Sequence, residues 1–225
     1  MIILIGGSRG IGKKLLNYLL KIDKVVSISR SGTATIKKNL INVNLDITLE
    51  KQLSHFLTNF KFDKKIIIIF NAAYKEDSLL INTTISNWHK TINTNLLSSF
   101  LIIKKFLPLM IKANYGRLIF ISSSEATLGS KGTALYSMSK SSLSGLSGSI
   151  SEEYAKFNIT SNIIELGAFD EGLYKGLSAN LKKIIINNIP SKKLGKVINI
   201  FNAIEFIIKS DFLNVQLLKL MVDLN

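Results

Sequence analysis

Short apolar runs rich in β-branched residues recur along the chain at 2–5, 25–28, 40–45, 66–70, 118–121, 160–164 and 217–222. Within each run the apolar residues are consecutive rather than alternate, as in strands buried on both faces. Between most of the runs lie longer stretches with apolar residues three and four apart, for example Ile11, Leu15, Leu16, Leu19 and Leu20, which is helical spacing. The alternation predicts a seven-stranded parallel sheet, doubly wound, with helices on both faces. No Pro-, Gly- or Ser-rich linker, composition break or internal repeat divides the sequence, so one α/β domain is expected over 1–225.

Length and composition agree with that picture, since 225 residues at 47% hydrophobic content are ample for one sizeable core. The absence of cysteine excludes disulfides, thiolate metal sites and a cysteine nucleophile. His55 and His89 have no partner at metal-ligand spacing, so no metal is expected. No apolar run approaches the roughly 18 residues of a membrane span, and 100–110 is broken by Lys104 and Lys105. With no basic leader or cleavage site at Met1, a cytoplasmic protein is expected. The 29 basic against 15 acidic residues give a net charge of +14. These lysines are scattered, without the basic stripe and interleaved aromatics of a nucleic-acid surface, so neither nucleic acid nor membrane is expected as a partner.

The first run leads directly into Gly6-Gly7-Ser8-Arg9-Gly10-Ile11-Gly12 and then into an amphipathic stretch. Glycines let a backbone turn tightly and approach a pyrophosphate, whose charge then meets the free amides and positive dipole end of the following helix. The spacing Gly6-x3-Gly10-x-Gly12 resembles that of the short-chain dehydrogenase/reductase family, whose turn usually follows a threonine; here that position is Ile5. The resemblance implies a Rossmann-type sheet and a nicotinamide dinucleotide held by Gly6, Ser8, Arg9, Gly10, Ile11 and Gly12. At the end of the second run, where an NAD site wants a carboxylate, stands Arg30. Arg30 with Arg9 could grip a 2′-phosphate through charge-assisted hydrogen bonds, which favours NADP(H) over NAD(H). Asn44-Leu45-Asp46-Ile47 looks like the family's adenine site, with Asp46 accepting from the adenine amine and Ile47 beside it; a helix cap is the alternative role for Asp46. Asn71, Ala72 and Ala73 stand where the family keeps small residues against the cofactor ribose.

Tyr136 and Lys140 lie four residues apart, neighbours on one helical face, and Ser123 lies 13 residues before the tyrosine at the end of a strand. The same family carries its catalytic serine, tyrosine and lysine in this order and spacing, and Asn95 matches its fourth catalytic residue. Ser122 and Ser124 adjoin Ser123; the spacing favours Ser123. A free tyrosine titrates near pH 10, and a neighbouring ammonium favours the phenolate, which would make Tyr136 a general acid and base. Ser123 would stabilise the substrate oxygen. The resemblance further implies that Lys140 and Tyr136 meet the nicotinamide ribose and that Asn95 holds a water relaying protons to Lys140.

After the sixth run the family's Pro-Gly and threonine are replaced by Leu166-Gly167-Ala168-Phe169-Asp170-Glu171. Gly167 and Phe169 are expected beside the cofactor. Glu171 brings negative charge near its phosphates, unless that carboxylate points outward or meets a substrate group. A lid over the substrate is expected at about 170–195, with Lys175, Lys182 and Lys183, and 189–196 resembles the bacterial 3-oxoacyl-(acyl-carrier-protein) reductase-like members. A basic lid would suit an acidic carrier protein or a phosphorylated substrate. Val222-Asp223 keeps a family feature at an end that commonly meets another subunit, so a homodimer or homotetramer is expected. The reading is therefore an NADPH-dependent reductase of a small-molecule or carrier-linked carbonyl, a 3-oxoacyl thioester among the candidates. The rivals are a related enzyme acting on a sugar-linked or secondary-metabolite ketone, and a cofactor-binding regulatory protein with little turnover.

Overall fold

A computed structural model describes residues 1–221. The chain runs β1 (Ile2–Ile5), α1 (Gly10–Leu19), β2 (Val25–Ser29), β3 (Thr35–Lys37), β4 (Leu40–Asn44), α2 (Glu50–Asn59) and β5 (Ile66–Phe70). It continues through α3 (Ile85–Ile92), α4 (Ser98–Ala113), β6 (Gly116–Ser123), α5 (Glu125–Leu128), α6 (Ala134–Tyr154), β7 (Ile159–Leu166), α7 (Ala179–Asn188), α8 (Val197–Lys209) and β8 (Leu217–Leu220). All the strands but one are parallel, in the order β3-β4-β2-β1-β5-β6-β7-β8.

The sheet has eight strands where the apolar runs predict seven. The extra strand, β3, pairs antiparallel with β4 at the sheet edge, and its Ile36 is 84% exposed. Thr35-Ile36-Lys37 buries no face completely, so it lacks the consecutive apolar residues that mark the other strands. The last strand ends at Leu220, short of the expected 222, and Val222-Asp223 lies outside the described residues.

The consecutive isoleucines of β1 and β5 are buried because each face of the sheet carries helices. Alternate residues feed two apolar layers. Ile3, Ile5, Ile68 and Phe70 pack with Ile102, Phe106 and Leu143 of α4 and α6. Ile2, Leu4, Ile67 and Ile69 pack with Leu15, Leu19, Ile200 and Ile204 of α1 and α8.

β1 is flanked by β2 on one side and β5 on the other. The strand order reverses there, leaving a crevice beyond the carboxyl ends of β1 and β5, where open α/β sheets bind their ligands. The helical stretch from α3 into α4 is interrupted by a π-helical turn over Asn93–Leu97 that carries Asn95. Such turns widen a helix locally and recur at functional sites.

Candidate active site

The glycine turn leaves β1 at Gly6 in a left-handed conformation (φ 92°), pressed on the start of the loop after β5. A Cβ on Gly6 would lie 2.7 Å from the Ala72 backbone, and one on Gly12 would lie 2.0 Å from the Gly6 carbonyl oxygen and 2.6 Å from Asn71 Nδ2. The Asn71 amide donates to that carbonyl at 2.9 Å. Asn71 thus ties β5 to the turn, a support that offsets the hydroxyl missing at Ile5. Gly10 (φ 53°) would meet Gly172 at 3.1 Å if it carried a Cβ.

The turn opens into α1 with no side-chain cap on Arg9 and no acidic residue in the first turn, so the leading amides have no side-chain acceptor. Ser8, Arg9, Gly10 and Ile11 line a cleft of about 1520 Å³, together with Arg30, Asp46, Ile47, Asn71, Ala72, Ala73 and Gly167. Arg9 and Arg30 are exposed and, among the described residues, neither pairs with a carboxylate. Uncapped amides, a glycine floor and two unpaired guanidiniums are the donor set a dinucleotide with a 2′-phosphate requires. These residues fit NADP(H).

Asp46 does not cap α2, whose N-cap is Leu49 with no side-chain bond; it borders the cleft from the loop before that helix. Its Oδ1 accepts from the Thr48 amide at 3.0 Å and from the Thr48 hydroxyl at 2.7 Å, an Asx turn leading toward α2. The Phe169 ring is 3% exposed and packs in the layer of Val197 and Ile200, against Gly195.

Ser123, Tyr136 and Lys140 meet in the same cleft. Tyr136 and Lys140 lie one turn apart on α6, and Ser123 stands beside them at the end of β6. Burial first, then the nearby Glu125 carboxylate, pushes the Tyr136 phenol up; the Ser123 hydroxyl opposes both weakly. Lys140 is enclosed, donates to the Ile121 carbonyl at 2.8 Å and lies 5.8 Å from the centre of the tyrosine ring. Burial pushes its ammonium down to about 8. The expectation is that the ammonium, together with an oxidised nicotinamide, favours the phenolate; without that ring, desolvation outweighs the lysine and the phenol holds its proton.

Asn95 does not border the cleft. Its Oδ1 accepts from the Tyr74 amide at 2.7 Å, and its Nδ2 donates to the Tyr74 carbonyl and to Ser139 Oγ, both at 2.9 Å. The side chain pins the loop after β5 to α6, which leaves it one free lone pair for the water expected there. The neighbouring Thr94 lines the cleft instead.

Glu171 settles inward, its side chain only 4% exposed, with Lys175 Nζ at 2.7 Å and Lys14 Nζ in direct contact. The Lys14 hydrogen bond, and after it that of Lys175, hold its carboxyl below the usual carboxylate range. The negative charge that would have opposed a phosphate is thereby neutralised, and α1 is joined to the segment that follows β7.

Sequence reasoning missed Lys75, Asp77 and Glu125, which wall the cleft beside Tyr136. The available signal was position: each follows the carboxyl end of a strand at which a candidate residue already stands, Asn71 after β5 and Ser123 on β6.

A family model described as short chain dehydrogenase matches residues 1–182. The 3-oxoacyl-(acyl-carrier-protein) reductase FabG of Buchnera aphidicola subsp. Acyrthosiphon pisum is 33% identical over 214 residues, covering 90% of this chain and 86% of that protein. FabG of Escherichia coli K12 is 30% identical over 213 residues, with the same coverage of both chains. A solved structure of ElxO with NADP bound superposes with a TM-score of 0.84 at 26% identity, covering 97% of this chain and 96% of that one. Glycine turn, serine, tyrosine and lysine thus stand on a fold and a sequence shared along nearly the whole length, and the chain belongs to the short chain dehydrogenase family of oxidoreductases.

Proposed function

We propose that this protein is an NADPH-dependent reductase whose substrate is the ketone of a 3-oxoacyl thioester, with Ser123, Tyr136 and Lys140 as its catalytic residues and Asn95 as a positioning residue. The observation that carries the reading is the convergence of Ser123, a buried Tyr136 and an enclosed Lys140 at the end of a cleft whose other end carries Arg9 and Arg30. Support for NADPH comes from Arg9 and Arg30 and from the NADP held by ElxO. The two FabG relatives support the thioester.

The cofactor, when bound, supplies the hydride for the carbonyl carbon. Tyr136 gives its phenolic proton to the carbonyl oxygen, and Ser123 donates a hydrogen bond to that oxygen as charge develops. Once the phenolate forms, the Lys140 ammonium one turn away stabilises it. A phenol held neutral by burial is the state needed at the start of reduction rather than of oxidation. Lys140 and Tyr136 also border the place where a nicotinamide ribose would lie.

We read the chain as one nucleotide-binding domain with its lid at about 170–195, acting in the cytoplasm. No described helix is long and apolar enough to cross a membrane. Ile85, Trp88 and Phe100, exposed on α3 and α4, support a homodimer or homotetramer. The test is NADPH consumption with 3-oxoacyl thioesters, simple ketones and keto-sugars side by side. Turnover of the thioesters supports the substrate assignment; turnover confined to another class removes it.

A further inference from the structure

The substrate side of the cleft is walled by an ion pair. Lys75 Nζ lies 2.7 Å from Glu125 Oε1, 3.4 Å from Asp77 Oδ1 and 5.3 Å from the centre of the Tyr136 ring. The lysine side chain is 15% exposed and that of Glu125 23%. Both residues line the cleft with Ser123 and Tyr136, and the Glu125 backbone amide donates to Ser123 Oγ at 3.3 Å. The second carboxylate oxygen, Oε2, is buried with no hydrogen-bond partner among the described residues.

A buried acceptor left without a donor is costly, and more so when it is charged. No donor among the described residues relieves it, and Lys75 is turned to Oε1. An ammonium has three donors, and the two carboxylates beside Lys75 leave one to spare. A donor for Oε2 and an acceptor for Lys75 can both arrive with the substrate.

We propose that Glu125 and Lys75 form a substrate-reading subsite. As its carboxyl turns toward the cleft, Glu125 Oε2 accepts a hydrogen bond from an N–H or O–H that the substrate carries a few bonds from its reacting carbonyl, and Lys75 donates to an oxygen beside it. The proposal rests on the reading of the cleft as a carbonyl-reducing site. Two substrates share this chemistry: a 3-oxoacyl thioester whose arm bears an amide N–H, and a ketone with neighbouring hydroxyls. A plain ketone or simple ester offers no donor and strands the carboxylate oxygen.

The experiment measures kcat/KM for two matched pairs with NADPH: 3-oxobutyryl-N-acetylcysteamine against ethyl 3-oxobutanoate, and erythrulose against butan-2-one. Wild type, Glu125→Leu and Glu125→Gln are compared, with thermal unfolding as the check on folding. In the wild type the donor-bearing member of one pair is preferred by about 100-fold or more, as expected of a site built to pair a polar group. That pair identifies the source. Glu125→Leu reduces the preference to less than about tenfold, and Glu125→Gln, which keeps an acceptor, retains part of it. Equal rates within both pairs, or a preference unchanged in Glu125→Leu, overturns the subsite while leaving the reductase reading in place. A fluorescence titration with NADPH separates the two: a chain that binds no coenzyme overturns the reductase reading and the subsite with it.

Discussion

The coenzyme half of the cleft and the substrate half are held together by different means. On the coenzyme side the constraints act on the backbone. Gly6, Gly10 and Gly12 sit where a Cβ would strike neighbouring atoms, and the uncapped start of α1 presents its amides to the crevice. The substrate side is built from side-chain pairs that join distant parts of the chain. Lys75 meets Glu125 fifty residues away, and the Glu165 carboxylate of β7 accepts from Thr127 of α5 at 2.6 Å. Backbone constraints suit a ligand common to many reactions, whereas side-chain pairs can be exchanged without disturbing the sheet.

The sharpest way to break this division is to alter the group that serves both halves. Tyr136→Phe removes the proton donor and leaves the ring in its place, so turnover falls by about 10²–10⁴-fold while NADPH affinity stays within about twofold. Steady-state rates paired with a coenzyme titration check it. Unchanged turnover would detach the phenol from the chemistry.

Arg30→Ala confines the change to the coenzyme half. A charged hydrogen bond is worth roughly 1.5–3 kcal/mol, so NADPH affinity falls by about 10- to 100-fold and NADH affinity hardly changes. Equal losses for the two coenzymes would dissociate Arg30 from the 2′-phosphate.

The same contrast explains what could be read in the sequence. Consecutive isoleucines in β1 and β5 announce buried parallel strands because burial on two faces demands them, and the glycine turn is visible because its spacing is local. Tyr136 and Lys140 are legible as one face of one helix, and Ser123 as the end of a strand. β3 was missed because Thr35-Ile36-Lys37 lies at an edge and buries too little to leave a pattern. Lys75 and Glu125 were missed because solvated and paired charges look alike in one dimension. Asn95 was found as a position, but its ties to Tyr74 and Ser139 depend on how the π-helical turn packs against α6.

Lys140→Met tests how much the site costs the fold. In the folded protein this lysine titrates near 8 against an ordinary value of 10.5, so the unfolded chain binds more protons between those limits. The penalty for burying the ammonium is fully present below pH 8 and is relieved as pH rises toward 10.5. The apolar variant removes a penalty of roughly 3 kcal/mol and loses about 1 kcal/mol with the bond to Ile121, a net gain of about 2 kcal/mol at pH 7. For a chain of this size that raises Tm by roughly 5 °C. The gain shrinks above pH 8 and reverses to a loss of about 1 kcal/mol above 10.5, where only the missing bond to Ile121 remains, while turnover is lost at every pH. A variant less stable than wild type at pH 7 would show that the lysine supports the fold.

The smallest effect is expected at Glu171, where the two halves touch. Its carboxylate draws Lys14 of α1 and Lys175 together beside the glycine turn. Glu171→Gln frees both ammonium groups to face the coenzyme phosphates, so NADPH affinity rises by a few-fold at low salt, and the gain disappears at high ionic strength. In the wild type the lysines hold this carboxyl below the ordinary 4.5, so it stays ionised from pH 5 to 8 and adds no pH dependence to binding in that range. Stability contributed by the ion pairs is present above 4.5 and is lost only as pH falls through the depressed value. Titrations of NADPH across pH and salt decide the matter, and weaker binding by Glu171→Gln would mean that the clamp places the segment after β7 for the coenzyme rather than masking a repulsive charge.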